Sequence, residues 1–145
     1  MFSKYLEEYN VDDCWVSKGR TITEADLVMF SAFSGDWFPL HTNIEYAAKT
    51  PFQQRIAHGM SVLSIATGLL QLEPSVVVAF YGMDHVRFTN PTFIGDTIYL
   101  RGRVVDIQDK GNGCGIVSVQ LEIINQKGET VVAAIIKMLV NKSQD

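Results

Sequence analysis

The chain has 145 residues, a length that fits one domain over residues 1–145 with a core of its own. It is 47% hydrophobic and 19% charged with a formal charge of −4, a balance that argues against disorder and leaves no broad basic surface for nucleic acid. The most apolar stretch, residues 60–72, runs ~13 residues where a membrane span needs ~20, so no membrane partner is expected. Residues 1–10 are polar and acidic and do not read as a signal peptide. Cys14 and Cys114 lie far apart and match neither a metal-ligand spacing nor a disulfide framework, which predicts reduced thiols in a cytoplasmic protein.

In chain order, residues 15–21 predict a short first strand. Thr21 and Glu24 have capping-box spacing, so a helix is expected to start near Thr23. Leu27, Val28, Phe30 and Phe33 would form its apolar stripe, and Gly35 would end it. A loop over residues 36–41 follows, stiffened by Pro39. Thr42 and Glu45 repeat the capping-box spacing and predict a short helix over residues 44–49, stopped by Pro51. His58 and Gly59 open a central helix that is expected to reach about Leu72. Its apolar residues point in most directions, which predicts a buried helix with something large wrapped around it.

The second half supplies the wrapping. Residues 75–89, 96–109, 115–125 and 129–141 all read as strands. In the second of these, Ile98, Leu100, Gly102 and Val104 alternate with Tyr99, Arg101 and Arg103, the period of a half-buried strand. Lys127–Gly128 predicts a hairpin turn, and Asn90–Pro91 breaks the chain where a proline does least harm. The fold class implied is α+β, a curved antiparallel sheet wrapped around a long buried helix, which is the hotdog fold.

Two features could carry chemistry. Asp36 and His41 stand five residues apart on one loop. A carboxylate and an imidazole facing one water can divide the proton transfers that hydration of a double bond needs. The same spacing also arises in polar loops and side-chain caps. The second feature is the start of the central helix. Its first N–H groups have no partner inside the helix and form a site for negative charge. Gly59 has no side chain to keep a ligand from its backbone, although it could equally serve a crowded helix start. His58 would orient that start. No cluster of metal ligands is visible, so neither a metal nor a redox cofactor is expected.

Phe33-Ser34-Gly35-Asp36, Pro39-Leu40-His41, Glu45-Tyr46-Ala47 and Ile56-Ala57-His58-Gly59-Met60 together resemble the MaoC-like (R)-specific enoyl-CoA hydratases. The similarity continues at Phe88-Thr89-Asn90-Pro91-Thr92-Phe93-Ile94-Gly95-Asp96. The resemblance implies a lyase of fatty acid metabolism. It would hydrate trans-2-enoyl-CoA to (R)-3-hydroxyacyl-CoA, or run the reverse dehydration, with the coenzyme A thioester as substrate and a homodimer as the assembly. It implies Asp36 and His41 as the catalytic pair, the Gly59 amide as the donor to the thioester carbonyl, and Thr67 as a supporting hydroxyl. Thr67 could instead bond back to its own helix. Where the family loop usually carries Asn, this chain has Phe38, which makes no polar contact. Phe38 and Trp37 would shape an acyl pocket or pack at an interface. Arg55 is the candidate for the phosphates of coenzyme A, ahead of Lys49, Arg87, Arg101 and Arg103. His85 shows no paired chemistry and reads as structural. The alternatives are a hotdog thioesterase, an acyl-carrier-protein dehydratase, or a non-catalytic acyl-thioester-binding protein. A thioesterase would use a carboxylate on the central helix, and residues 59–72 contain none.

Overall fold

The computed structural model describes residues 1–143 and consists of an open antiparallel sheet curled over one central helix. The first elements are a single 3-10 turn at Leu6–Glu8, strand β1 (Cys14–Val16) and strand β2 (Arg20–Thr21). Helices α1 (Glu24–Ser34), α2 (Pro39–Thr42), α3 (Ile44–Ala47) and α4 (Gly59–Thr67) follow. The long strands β3 (Val77–Phe88), β4 (Thr97–Asp109), β5 (Cys114–Ile124) and β6 (Thr130–Asn141) complete the chain. The sheet runs β1-β4-β5-β6-β3, with β2 also on β4, so β3 is left as an edge. This is the expected α+β hotdog arrangement.

Alternation along the strands builds the core. Ile98, Leu100 and Val104 of β4 are buried while Arg101 and Arg103 face water. Val119, Leu121 and Ile123 of β5 join them, with Ile136, Met138 and Val140 of β6. Val62, Leu63, Ala66 and Leu70 meet this layer from the helical side. Phe2 is fully buried in the same core, because its main chain bonds Gln71 and Glu73 just beyond the central helix. The hairpin between β5 and β6 turns at Lys127–Gly128, where Gly128 takes a positive φ of 79°.

Several expected boundaries move, each for a local reason. The first strand divides in two because the Ser17 hydroxyl, rather than main chain, accepts the Leu100 N–H at 2.8 Å. Helix α1 does begin after Thr23, but its capping pair is Thr23 and Asp26: the Asp26 carboxylate accepts the Thr23 N–H at 2.7 Å. Thr21 instead bonds the Thr97 hydroxyl across the β2–β4 ladder. In the same way, Asn43 and not Thr42 caps α3, accepting the Tyr46 N–H at 3.0 Å. That helix ends at Ala47, two residues before the expected limit.

The central helix is also shorter than expected, ending at Thr67 where Gly68 follows. It is not buried all round. Met60 is 57% exposed, and Ser64 and Thr67 on the same side are exposed too. The single-chain sheet covers one flank and leaves the other open. Helix α1 shows the same asymmetry. Leu27 and Ser31 face inward, whereas Val28 and Phe33 of the expected apolar stripe face out, Phe33 at 88% exposure.

Candidate active site

Helix α1 ends at Gly35, whose φ of 78° suits a residue without a side chain. The chain then turns back through Asp36. The Asp36 side chain accepts the Phe38 N–H at 3.1 Å, closing a local turn. Pro39 begins α2 at its first position, where a missing N–H costs nothing. His41 therefore stands on a short helix and not in the loop expected for it. From α2, the His41 ring reaches the segment that leads into α4. Its Nδ1 donates to the Ile56 carbonyl at 2.7 Å, a pairing that requires the hydrogen on Nδ1. Its Nε2 is left with a lone pair.

His58 is 2% exposed and stands just before α4. Its Nε2 lies 3.0 Å from the Asp36 carbonyl oxygen and 3.2 Å from the Ser31 hydroxyl. A carbonyl accepts only, so Nε2 carries the hydrogen and donates to it. The His58 ring stacks on His41 with centroids 3.9 Å apart and planes at 28°. Phe30 covers it from α1 at 4.9 Å. Burial, together with the charge that His41 can carry, pushes the His58 pKa below the usual imidazole value. The bond to Asp36 opposes this.

Asp36, His41 and His58 thus bring ligand-type atoms within 4.8 Å of one another, a cluster that the sequence did not reveal. The span suits one water held between Asp36 and His41, since two hydrogen bonds of about 2.8 Å reach that far. It suits a metal less well. An ion bound by both imidazoles must lie in both ring planes. In this stack the ring planes run side by side, so their in-plane nitrogen lone pairs do not converge at a metal–nitrogen bond length of about 2.0–2.1 Å.

The other predicted residues fall into separate places. Gly59 opens α4 and lines a cavity of about 320 Å³. Phe52, Ile56, Val62, Phe88 and Val132 supply apolar wall to this cavity, and Thr89 and Asn90 add polar groups. Asp36 and His41 are not among the residues that line it. A side chain at Gly59 would begin 2.7 Å from the Phe88 ring, so the crowded-start explanation for this glycine also holds. Phe38 is half exposed and sets its ring edge-on to His41 at 6.0 Å and Tyr46 at 6.1 Å. Trp37 beside it is exposed. Thr67 donates to the Ser64 carbonyl at 2.6 Å, so its hydroxyl is turned onto its own helix. The Arg55 side chain is only 14% exposed, and its guanidinium pairs with Glu24 at 2.7 Å. Ser31 is the residue that the sequence reading missed. A serine one turn after Leu27, on the buried side of α1, was its only cue.

The model of the family described as "MaoC like domain" matches residues 12–125. Protein MaoC of Klebsiella aerogenes is 42% identical over 102 residues, covering 69% of this chain and 30% of that protein. The (R)-specific enoyl-CoA hydratase of Rhodospirillum rubrum is 37% identical over 82 residues, covering 57% of each. The chain thus spans less than two thirds of the length of either relative. A solved structure described as a monoamine oxidase regulatory protein from Archaeoglobus superposes with a TM-score of 0.91 at 41% identity, covering 97% of this chain and 96% of that one. No described helix is long and apolar enough to cross a membrane.

Proposed function

The chain belongs to the MaoC-like domain family, and from that premise we propose that it adds water to trans-2-enoyl-CoA thioesters or removes it from (R)-3-hydroxyacyl-CoA. One observation carries the reading. Asp36 and His41 lie close enough to share one water, and the His41 Nε2 lone pair is free to take its proton.

In the proposed reaction the thioester lies along the cavity beside Gly59, with its carbonyl against the helix-start N–H. Water is held between Asp36 and His41. As its oxygen bonds to C3, its proton passes to His41 Nε2 and the C2–C3 π electrons move onto the thioester oxygen. The Gly59 amide stabilises that developing charge, a contribution of about 3–4 kcal/mol for one such donor. The enolate then collapses as C2 takes the proton back from the same face. His41 returns to neutral, and Asp36 stabilises the transient imidazolium. The sum is one water across one double bond. No electron leaves the reactants, so the reading calls for no redox cofactor and no metal.

The partner proposed for this reaction is a second copy of the chain, and the compartment is the cytoplasm. Against the thioesterase alternative, α4 carries no Asp or Glu. The test is the purified protein with crotonyl-CoA and longer enoyl-CoAs, followed by loss of enoyl absorbance. The expected product is the (R)-3-hydroxyacyl thioester. No turnover with any enoyl thioester, branched and dicarboxylic ones included, sinks the hydratase reading. Release of free coenzyme A favours the thioesterase instead.

A further inference from the structure

We propose that His58 is a positioning residue that holds both members of the water-binding pair from one buried ring, Asp36 through a hydrogen bond and His41 through a stack. The inference rests on the hydratase reading above for its kinetic part and on geometry alone for its structural part.

Asp36 needs an anchor because its surroundings are open. It is exposed, it follows a left-handed glycine, and its side chain bonds only its own turn. The bond from His58 Nε2 to its carbonyl oxygen ties this turn to the body of the protein. His41 is gripped twice by the same short segment: Ile56 takes its Nδ1–H, and the His58 ring covers one face. Residues 56–58 thus register the end of α1 against α2. A small shift between these elements would change the gap that holds the water, and a misplacement of about 1 Å can cost about 100-fold in rate.

One detail sets His58 apart from a residue that merely fills space. Its Nδ1 is buried with no hydrogen-bond partner among the described residues. The bond to Asp36 fixes the hydrogen on Nε2, so Nδ1 presents a bare lone pair. A proton placed there would be a buried donor with nothing to accept it, beside a His41 ring that can itself become charged. Asp36 and His41 are the titratable groups that act on this ring, from the α1–α2 turn and from α2, and α1 faces it with Ser31 and Phe30. The site therefore works with His58 uncharged, and the ring acts only through its neighbours.

Two substitutions separate the two contacts. His58→Phe keeps a ring for the stack and removes the donor. His58→Gln keeps an amide donor near the Nε2 position and removes the ring. Expected for His58→Phe is a fall of about 10–100-fold in kcat, with KM within about threefold. His58→Gln should recover part of that loss. Wild-type kcat in a folded His58→Phe overturns the proposal, as does a loss confined to KM. Ring 15N spectra of the wild-type protein give a measurement independent of turnover and of variant folding. They should show His58 as the Nε2–H tautomer at pH 7 and still neutral where an exposed imidazole is half charged. An Nδ1–H tautomer or an imidazolium at pH 7 overturns the proposal as well. Absence of enoyl turnover in the wild-type protein strikes the hydratase reading alone, because the tautomer is still read in the spectra.

Discussion

Asp36 is placed through its own main-chain carbonyl, and His41 through the Nδ1 side of its ring. The Asp36 carbonyl is held by His58, and the His41 ring is held by the Ile56 carbonyl. Each side chain spends one atom on a local bond, Asp36 on the Phe38 N–H and His41 on the Ile56 carbonyl, and keeps its second for a ligand, so removing either should cost activity more than stability. Asp36→Ala and His41→Ala are each expected to lower kcat by about 100–10,000-fold, the range for a lost acid or base. Thermal melting should move by only a few degrees for the exposed Asp36, and wild-type turnover in Asp36→Ala would remove it from the mechanism. Acid should act through His58. Its pKa is lowered in the folded protein relative to the ordinary 6.5, so the unfolded chain takes up this proton first. Stability from this group is complete above about pH 6.5 and declines as the pH falls below it. Chemical denaturation from pH 7.5 to 5 should show the decline, and His58→Phe should flatten it. The closeness of Asp36 and His41 was legible in the sequence because they stand five residues apart in one segment stiffened by a proline. Ser31 was not, because its contact with His58 joins residues far apart in sequence, and a helical serine carries no sign of that.

Elements were legible where side-chain period alone decides them. The four long strands fall within about two residues of their expected limits, and alternation is clear along β4 and β6. Helix starts were less so, because several polar residues competed for each cap. At α1 the choice fell to Asp26, which accepts from Thr23 while Arg20 grips both its oxygens at 2.7 and 2.9 Å. The Arg20 guanidinium, with the Thr23 groups adding to it, holds the Asp26 pKa at about 2. Asp26→Ala should thus cost about 1–2 kcal/mol at neutral pH, discounted for the exposure of Arg20. The carboxylate's contribution is present above the unfolded value near 3.8 and lost between there and about 2, so the variant and the wild type should converge in stability over that interval. The start of α4 poses a different question, whether Gly59 serves packing or a ligand. Gly59→Ala drives a methyl against Phe88 and should destabilise by about 1–3 kcal/mol. Gly59→Ala combined with Phe88→Leu should regain most of that stability. Turnover that stays low in the stable double variant but not in Phe88→Leu alone marks Gly59 as a ligand-facing residue, and full recovery of turnover assigns it to packing alone.

At the scale of the whole molecule, one edge of the sheet is unfinished. Among the described residues strand β3 pairs only with β6, so its other side presents unpaired main chain along a row that includes Val78, Phe80 and Tyr81, each 45–58% exposed. Long apolar edges of this kind are aggregation sites unless something covers them. The charged surface of α1 is also interrupted by apolar side chains, with Met29 69% and Phe33 88% exposed. A second copy, its β3 antiparallel to the first, would pair both edges at once, and a stable interface of this type needs about 800 Å² per partner. The sequence could not place this surface, because apolar residues along β3 read the same whether they meet their own core or a neighbouring chain. Light scattering should therefore give twice the chain mass. Tyr81→Lys, which sets a charge on the exposed edge, should shift that mass toward the monomer. Because Phe88 of the same strand walls the cavity beside Gly59, the monomeric variant should also lose enoyl turnover. A wild-type protein that stays monomeric at high micromolar concentration, with its turnover intact, would show that the edge is covered in some other way and that each chain completes its own site.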